Sequence, residues 1–179
     1  MQNHGKSFSF GSHVFGNGVL DYRWGASGLH VSGSSDFDSV PWDVLGDGNG
    51  GLFGLYSGYD QRPPFANNHS GALVLRRMNG DGTNAIGWPD SGIKVRTTGS
   101  RYAAMVPLYP DVHTGVGIAI ARRRNGPVLD LSVFAQRVLP SGAFAPGWSD
   151  SGVALCTDPG LRDDVVFPVP DGKGGMFVV

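Results

Sequence analysis

The sequence predicts an all-β fold built from three copies of one unit, and three observations carry that prediction. The first is an internal repeat. The segments WGASGLHV (Trp24 to Val31), WPDSGIKV (Trp88 to Val95) and WSDSGVAL (Trp148 to Leu155) fall in register at spacings of 64 residues (24 to 88) and 60 residues (88 to 148). A glycine six residues before each Trp (Gly18, Gly82, Gly142) and an Asp opening a glycine-rich turn (Asp47, Asp111, Asp171) keep the same spacings. The second is composition: there are 29 Gly and 12 Pro, every one of the 15 acidic residues is Asp, and Lys is confined to Lys6, Lys94 and Lys173. Turn formers abound where good helix formers are scarce. The third is a series of short extended runs bounded by Gly, Pro, Asp or Asn, which is how strands punctuate a sequence.

In chain order, SFGSHV (Ser9 to Val14) stands first, ahead of Gly18 and Trp24. Four runs follow at Ser39 to Leu45, Gly51 to Ser57, Ala72 to Met78 and Gly92 to Thr97. Four more lie at Ala103 to Tyr109, Gly115 to Arg122, Ser132 to Leu139 and Gly152 to Thr157. First and second strands are joined by GDGNGG, PDVHTG and PDGKGG, in which an Asp carboxylate can accept backbone N–H groups and a following Gly tolerates positive φ. The stretches after the second strand, 58–70 and 123–130, differ in length and content and read as exposed loops. Four antiparallel strands per unit, repeated radially, describe a blade of a β-propeller. The expected units are 35–97, 98–157, and 158–179 combined with 1–34.

The phrases GGLFGLYSGYDQR, GVGIAIARRRNG, LSVFAQRVLPSGAFAPGW and VVFPVPDGKGGMFVV resemble the bacterial propeller repeat. In that repeat a first strand ends in Asp-Gly, a Gly-Gly opens a second strand, and a third strand of the type "yaQR" leads to Gly and Trp. The resemblance covers nearly the whole chain in three copies, with one departure: SFGSHV stands where the others read LVLRRM and VFAQRV. It implies blades acting as binding or spacing modules in a secreted or cell-surface setting, and it implies little about chemistry.

The phase of the repeat relative to the ends carries a further expectation. Residue 179 falls within a second strand and residue 8 within a third, so one blade is divided between the termini. Three blades close a ring poorly, because familiar propellers have four to eight. The expectation is a homodimer of six blades in which each divided blade is completed by the partner. A fragment of a longer propeller, a β-trefoil or a β-prism are the alternatives.

Composition narrows function by exclusion. The formal net charge is −1, and the one dense basic run, Arg122 to Arg124, is too short for a nucleic-acid footprint. No apolar stretch approaches a membrane span. The N-terminus MQNHGKSFSF lacks a signal peptide's basic start and apolar core, which leaves the compartment open. Cys156 is alone, the five histidines show no metal-ligand spacing, and the absence of Glu removes mechanisms that require one. No cofactor, metal or catalytic residue is expected. The sialidase Asp box also fails, because Ser149-Asp150-Ser151-Gly152 follows its Trp instead of leading to it.

Residues shared by all copies, the three Trp and the three Asp, read as packing and turn capping between units. Ligand contacts are expected where the copies differ. Trp42 and Asp43 stand where the other first strands read Val106-Pro107 and Val166-Phe167, with Tyr56 at the end of the second strand, Tyr59 and Arg62 in the loop after it, and Arg101 and Tyr102 entering the next unit. Aromatic faces beside an Asp and an Arg suit a carbohydrate or peptide. The preferred reading is a non-enzymatic binding and assembly module. The alternatives are a propeller hydrolase or lyase, which needs a buried Asp with a perturbed pKa beside His or Arg, and a purely structural repeat.

Overall fold

The computed structural model of the chain describes residues 10–30, 37–60, 72–96, 100–107, 115–123, 131–156 and 166–179. Within them the chain forms β1 (Phe10–Gly11), a 3-10 turn (Tyr22–Trp24), β2 (Leu29–His30), β3 (Phe37–Gly46), β4 (Leu52–Asp60), β5 (Ala72–Met78) and β6 (Ile93–Arg96). It continues with β7 (Ser100–Pro107), β8 (Val116–Arg123), β9 (Leu131–Val138), β10 (Val153–Cys156), β11 (Pro168–Pro170) and β12 (Met176–Val178). All pairing is antiparallel. Strands β3 to β6 form one four-stranded sheet in sequence order, and β7 to β10 form another. Strands β1 and β2 form a two-stranded ribbon, as do β11 and β12.

The predicted run Ala72 to Met78 coincides with β5, and the other edges fall within a few residues. Two differences concern candidate residues. Strand β4 continues to Asp60, pairing Tyr59 with Asp38, and β7 begins at Ser100, pairing Tyr102 with Ala121 across a bulge. Tyr59, Arg101 and Tyr102 therefore belong to strands and not to the loops expected of them. Arg62, with the rest of 61–71, and Asp111 lie outside the described residues.

The turns form as their residues dictate. Asp47 Oδ1 accepts the N–H groups of Asn49 and Gly51, each at 2.8 Å, and Asp171 Oδ1 accepts those of Lys173 and Gly175 at 2.7 and 2.9 Å. After the third strand one turn is built three times over. Gly18, Gly82 and Gly142 have φ of 82°, 83° and 85°, a region glycine enters without steric cost. Each donates its N–H to the residue three before it: Phe15, Asn79 and Leu139. Each Trp N–H then bonds back to the carbonyl three before it, on Asp21, Ala85 or Ala145.

Alternation along the strands decides which units touch. Phe53 and Leu55 on β4, with Leu73 and Leu75 on β5, face the second sheet, which returns Val116, Ile118 and Ile120 from β8. Trp88 lies in this seam, 6% exposed, with its ring edge-on to Phe53 at 5.9 Å. The opposite face of the first sheet, through Tyr56 and Met78, packs on Trp24. The opposite face of the second sheet, through Ala119 and Val133, packs on Val166 and Val178. The order of layers is ribbon β1–β2, first sheet, second sheet, ribbon β11–β12.

Candidate functional site

The candidate ligand residues whose side chains are described take part in packing. Tyr56 is 3% exposed beneath Trp24, and burial pushes its phenol pKa up. Gly54 leaves room for this ring, since a Cβ there would lie about on the Tyr56 hydroxyl. Trp42 sits at the β3 bulge between Pro41 and Asp43 and packs against the main core. The Asp43 carboxylate accepts the N–H of Val44 at 2.9 Å and that of Met105 in the second sheet at 2.7 Å. Asp43 thus fastens β3 to β7, a role its counterparts Pro107 and Phe167 cannot fill. Trp42, Asp43 and Tyr56 do not converge on one surface.

Two of the shared tryptophans converge on one geometry. Trp24 Nε1–H donates to the Gly80 carbonyl at 2.9 Å, and Trp88 Nε1–H donates to the Pro140 carbonyl at 2.8 Å. Gly80 and Pro140 occupy the same place in successive units. The glycine two residues on lies flat against the indole: a Cβ on Gly82 would stand 3.6 Å from the Trp24 ring, and one on Gly142 3.5 Å from the Trp88 ring. Arg77 reinforces the second contact, with Nη1 donating to Pro140 at 3.1 Å while Nε and Nη2 hold Asp47 Oδ2 at 3.1 and 2.9 Å.

The third Trp meets something different. Trp148 lines an open cavity of about 450 Å³ with Arg137, Leu155, Asp171, Met176 and Val178. The Nε of Arg137, the counterpart of Arg77, is buried without a hydrogen-bond partner among the described residues. The matching turn on β1 is equally open. A Cβ on Gly16 or Gly18 would have nothing within 4 Å. Val14 is 55% exposed where its counterparts Met78 and Val138 are 2% and 0%. Glycines opening the second strand agree: a Cβ on Gly51 or Gly115 would strike the carbonyl of Met78 or Val138, whereas one on Gly175 meets only its own Asp171.

The other chemically loaded group is His13, Asp21 and Arg23. Asp21 is 3% exposed and binds Arg23 Nη2 at 2.6 Å, Arg23 Nε at 2.9 Å and His13 Nδ1 at 2.9 Å. The Arg23 guanidinium first, and His13 after it, hold the Asp21 carboxyl well below the usual carboxylate range. Such a carboxylate is a fixed anion, unlike a base poised near neutrality. Its effect on stability has a definite sign. A depressed pKa stabilises the fold above the ordinary value of 3.8, and the contribution fades as pH falls below it. Asp21→Asn, which can keep the backbone cap to Arg23, is expected to lower the urea midpoint above pH 4, with the gap to the parent chain closing as pH falls toward 2.

None of these three residues stood among the candidates, yet the sequence carried their signal. They replace Arg77 or Arg137, Ala85 or Ala145, and Gly87 or Gly147 at equivalent positions, so all three break the repeat together. Among the described residues no group of three or more His, Cys, Asp or Glu side chains is placed to hold a metal ion. Comparison with protein-family models, with curated proteins and with solved structures returns no match.

Proposed function

We propose that this chain is a non-enzymatic assembly and binding module of the β-propeller type, three blades to a chain, whose copies pair into a ring of six. One observation carries the reading: the contact between successive units is made twice within the chain, by Trp24 on Gly80 and Trp88 on Pro140, while Trp148 faces an open cavity. The shared residues act in stacking one unit on the next. The same face of β11 and β12 presents Phe167, Val169, Phe177 and Val179 at 58, 46, 63 and 79% exposure, a contiguous apolar strip of the kind that marks association surfaces. Its counterparts in the first sheet, Phe53 and Leu55, are 4% and 0% exposed because the next unit covers them.

Sedimentation velocity on the unaltered chain tests the proposal. A single species of twice 18.9 kDa at micromolar concentration supports it. A monomer throughout that range overturns it.

A further inference from the structure

We infer that the cavity at Trp148 and the open edge of β12 form a docking site for residues 10–20 of a second copy of this chain, whose β1 adds to β12 as a third strand. The inference rests on the assembly proposed above and specifies its contacts. The chain's own turn at Gly16 lies beyond both four-stranded sheets from Trp148, because the β1–β2 ribbon packs on the first sheet and the β11–β12 ribbon on the second.

The pairing follows from the two complete sheets, which agree. Leu52 pairs with Met78 and Phe53 with Arg77 in one; Val116 pairs with Val138 and Gly117 with Arg137 in the other. Carried over by the repeat spacings, Met176 pairs with Val14, Phe177 with His13 and Val178 with Ser12 of the second copy. The edge is ready for this addition. Phe167 and Val179 exchange both backbone hydrogen bonds, and Asp171 N–H bonds to Gly175, so the N–H groups of Met176 and Val178 alternate to the outer side of β12. Adding a strand there uses main-chain hydrogen bonds for affinity and flanking pockets for selectivity.

Side chains complete the match. Trp148 Nε1–H and the Arg137 guanidinium converge on the Gly16 carbonyl of the second copy, as Trp88 and Arg77 converge on Pro140. Gly18 of the second copy lies flat on the Trp148 indole, as Gly142 does on Trp88. His13 of the second copy arrives beside Asp171, whose Oδ1 is already held by its own turn, in the place where Arg77 meets Asp47. Val14 fills the apolar floor between Trp148 and Met176. Two copies joined by two such contacts cover both open surfaces at once.

Cysteine cross-linking tests the register. His13 and Phe177 fall at a non-hydrogen-bonded pair, where Cα atoms approach to about 4.5 Å, within disulfide range. In a Cys156→Ser background, His13→Cys with Phe177→Cys is expected to give a covalent dimer under mild oxidation, whereas His13→Cys with Val169→Cys gives none. Gly16→Val supplies a second test. In the free chain a Cβ here meets nothing within 4 Å, but in the added strand its counterpart Gly80 lies where a Cβ would be 2.5 Å from the Gly50 carbonyl. The dimer dissociation constant is expected to rise about a hundredfold or more, with the far-ultraviolet dichroism unchanged, because the clash falls at the centre of the interface. Trp148→Phe, losing one N–H donor in each of the two contacts, is expected to weaken the dimer about thirtyfold. If the parent chain is dimeric but Gly16→Val is equally so and the His13–Phe177 pair stays uncross-linked, this docking site is wrong and association uses another face. A disulfide formed within a single chain also overturns the inference, and a monomeric parent chain overturns the proposed function beneath it.

Discussion

Replacing Trp88 by Ala is expected to destabilise the chain by about 3–5 kcal/mol, the range for emptying a buried aromatic site. For a chain of this size that corresponds to a melting temperature lower by roughly 10 °C. The indole is 6% exposed in the seam between the two four-stranded sheets, edge-on to Phe53, and its N–H reaches the Pro140 carbonyl of the next unit. Its loss removes apolar area, an aromatic pair and the donor that satisfies that carbonyl. Trp88→Phe separates these contributions. It keeps most of the packing and loses the hydrogen bond, so a cost of about 1–2 kcal/mol is expected. Thermal denaturation followed by calorimetry measures both, and equal losses for the two variants would show that packing in the seam matters little.

The second large effect is expected at Gly115. Its φ is +91°, and an added Cβ would stand 1.9 Å from the Val138 carbonyl oxygen, a backbone atom of the neighbouring strand with no rotamer to relieve the clash. Gly115→Ala combines left-handed strain with overpacking, each about 1–3 kcal/mol, so a loss of about 3–5 kcal/mol is expected. Gly16→Val is the contrast. It adds a side chain whose Cβ has nothing within 4 Å, and the free chain is expected to keep its stability within about 0.5 kcal/mol. Urea midpoints, compared at concentrations low enough to dissociate any dimer, check both.

What the sequence made legible follows from what repeats. Strand β5 could be placed to the residue because its apolar run is bounded by glycine-rich turns, and the Asp47 and Asp171 turns followed from an Asp able to cap N–H groups ahead of glycines of positive φ. Trp24 and Trp88 were readable as packing for the same reason: a residue present in every copy serves what every copy does, whereas Trp148, read the same way, lines an open cavity. The ends of β4 and β7 were not readable. Polar residues such as Asp60 and Ser100 continue those strands because a partner backbone lies opposite them, which is a fact of pairing and not of local preference. Asp43 was singled out as a break in the repeat, but its acceptor role toward Met105 needed the neighbouring sheet in place. His13, Asp21 and Arg23 escaped notice because each substitution looks minor alone. Their meaning lies in the ion pairs that join them across residues 13 to 23.

The two halves of the open contact share one physical feature. Positions that are buried in the complete units are exposed at β1 and β12: Val14 against Met78 and Val138, Phe177 and Val179 against Phe53 and Leu55. An apolar strip beside a strand edge that has no partner among the described residues is a surface that proteins usually protect or pair. In the proposed dimer the complement of this strip lies at the other side of the same chain.

Hydrogen–deuterium exchange of the peptides spanning Phe10–Val14 and Met176–Val179, measured across a dilution series of the unaltered chain, tests this most directly. Addition of β1 to β12 between copies predicts that both peptides become protected together as concentration rises, led by the amides of Met176 and Val178. Exchange at these amides that stays fast at every concentration, or protection that does not change on dilution, would contradict it.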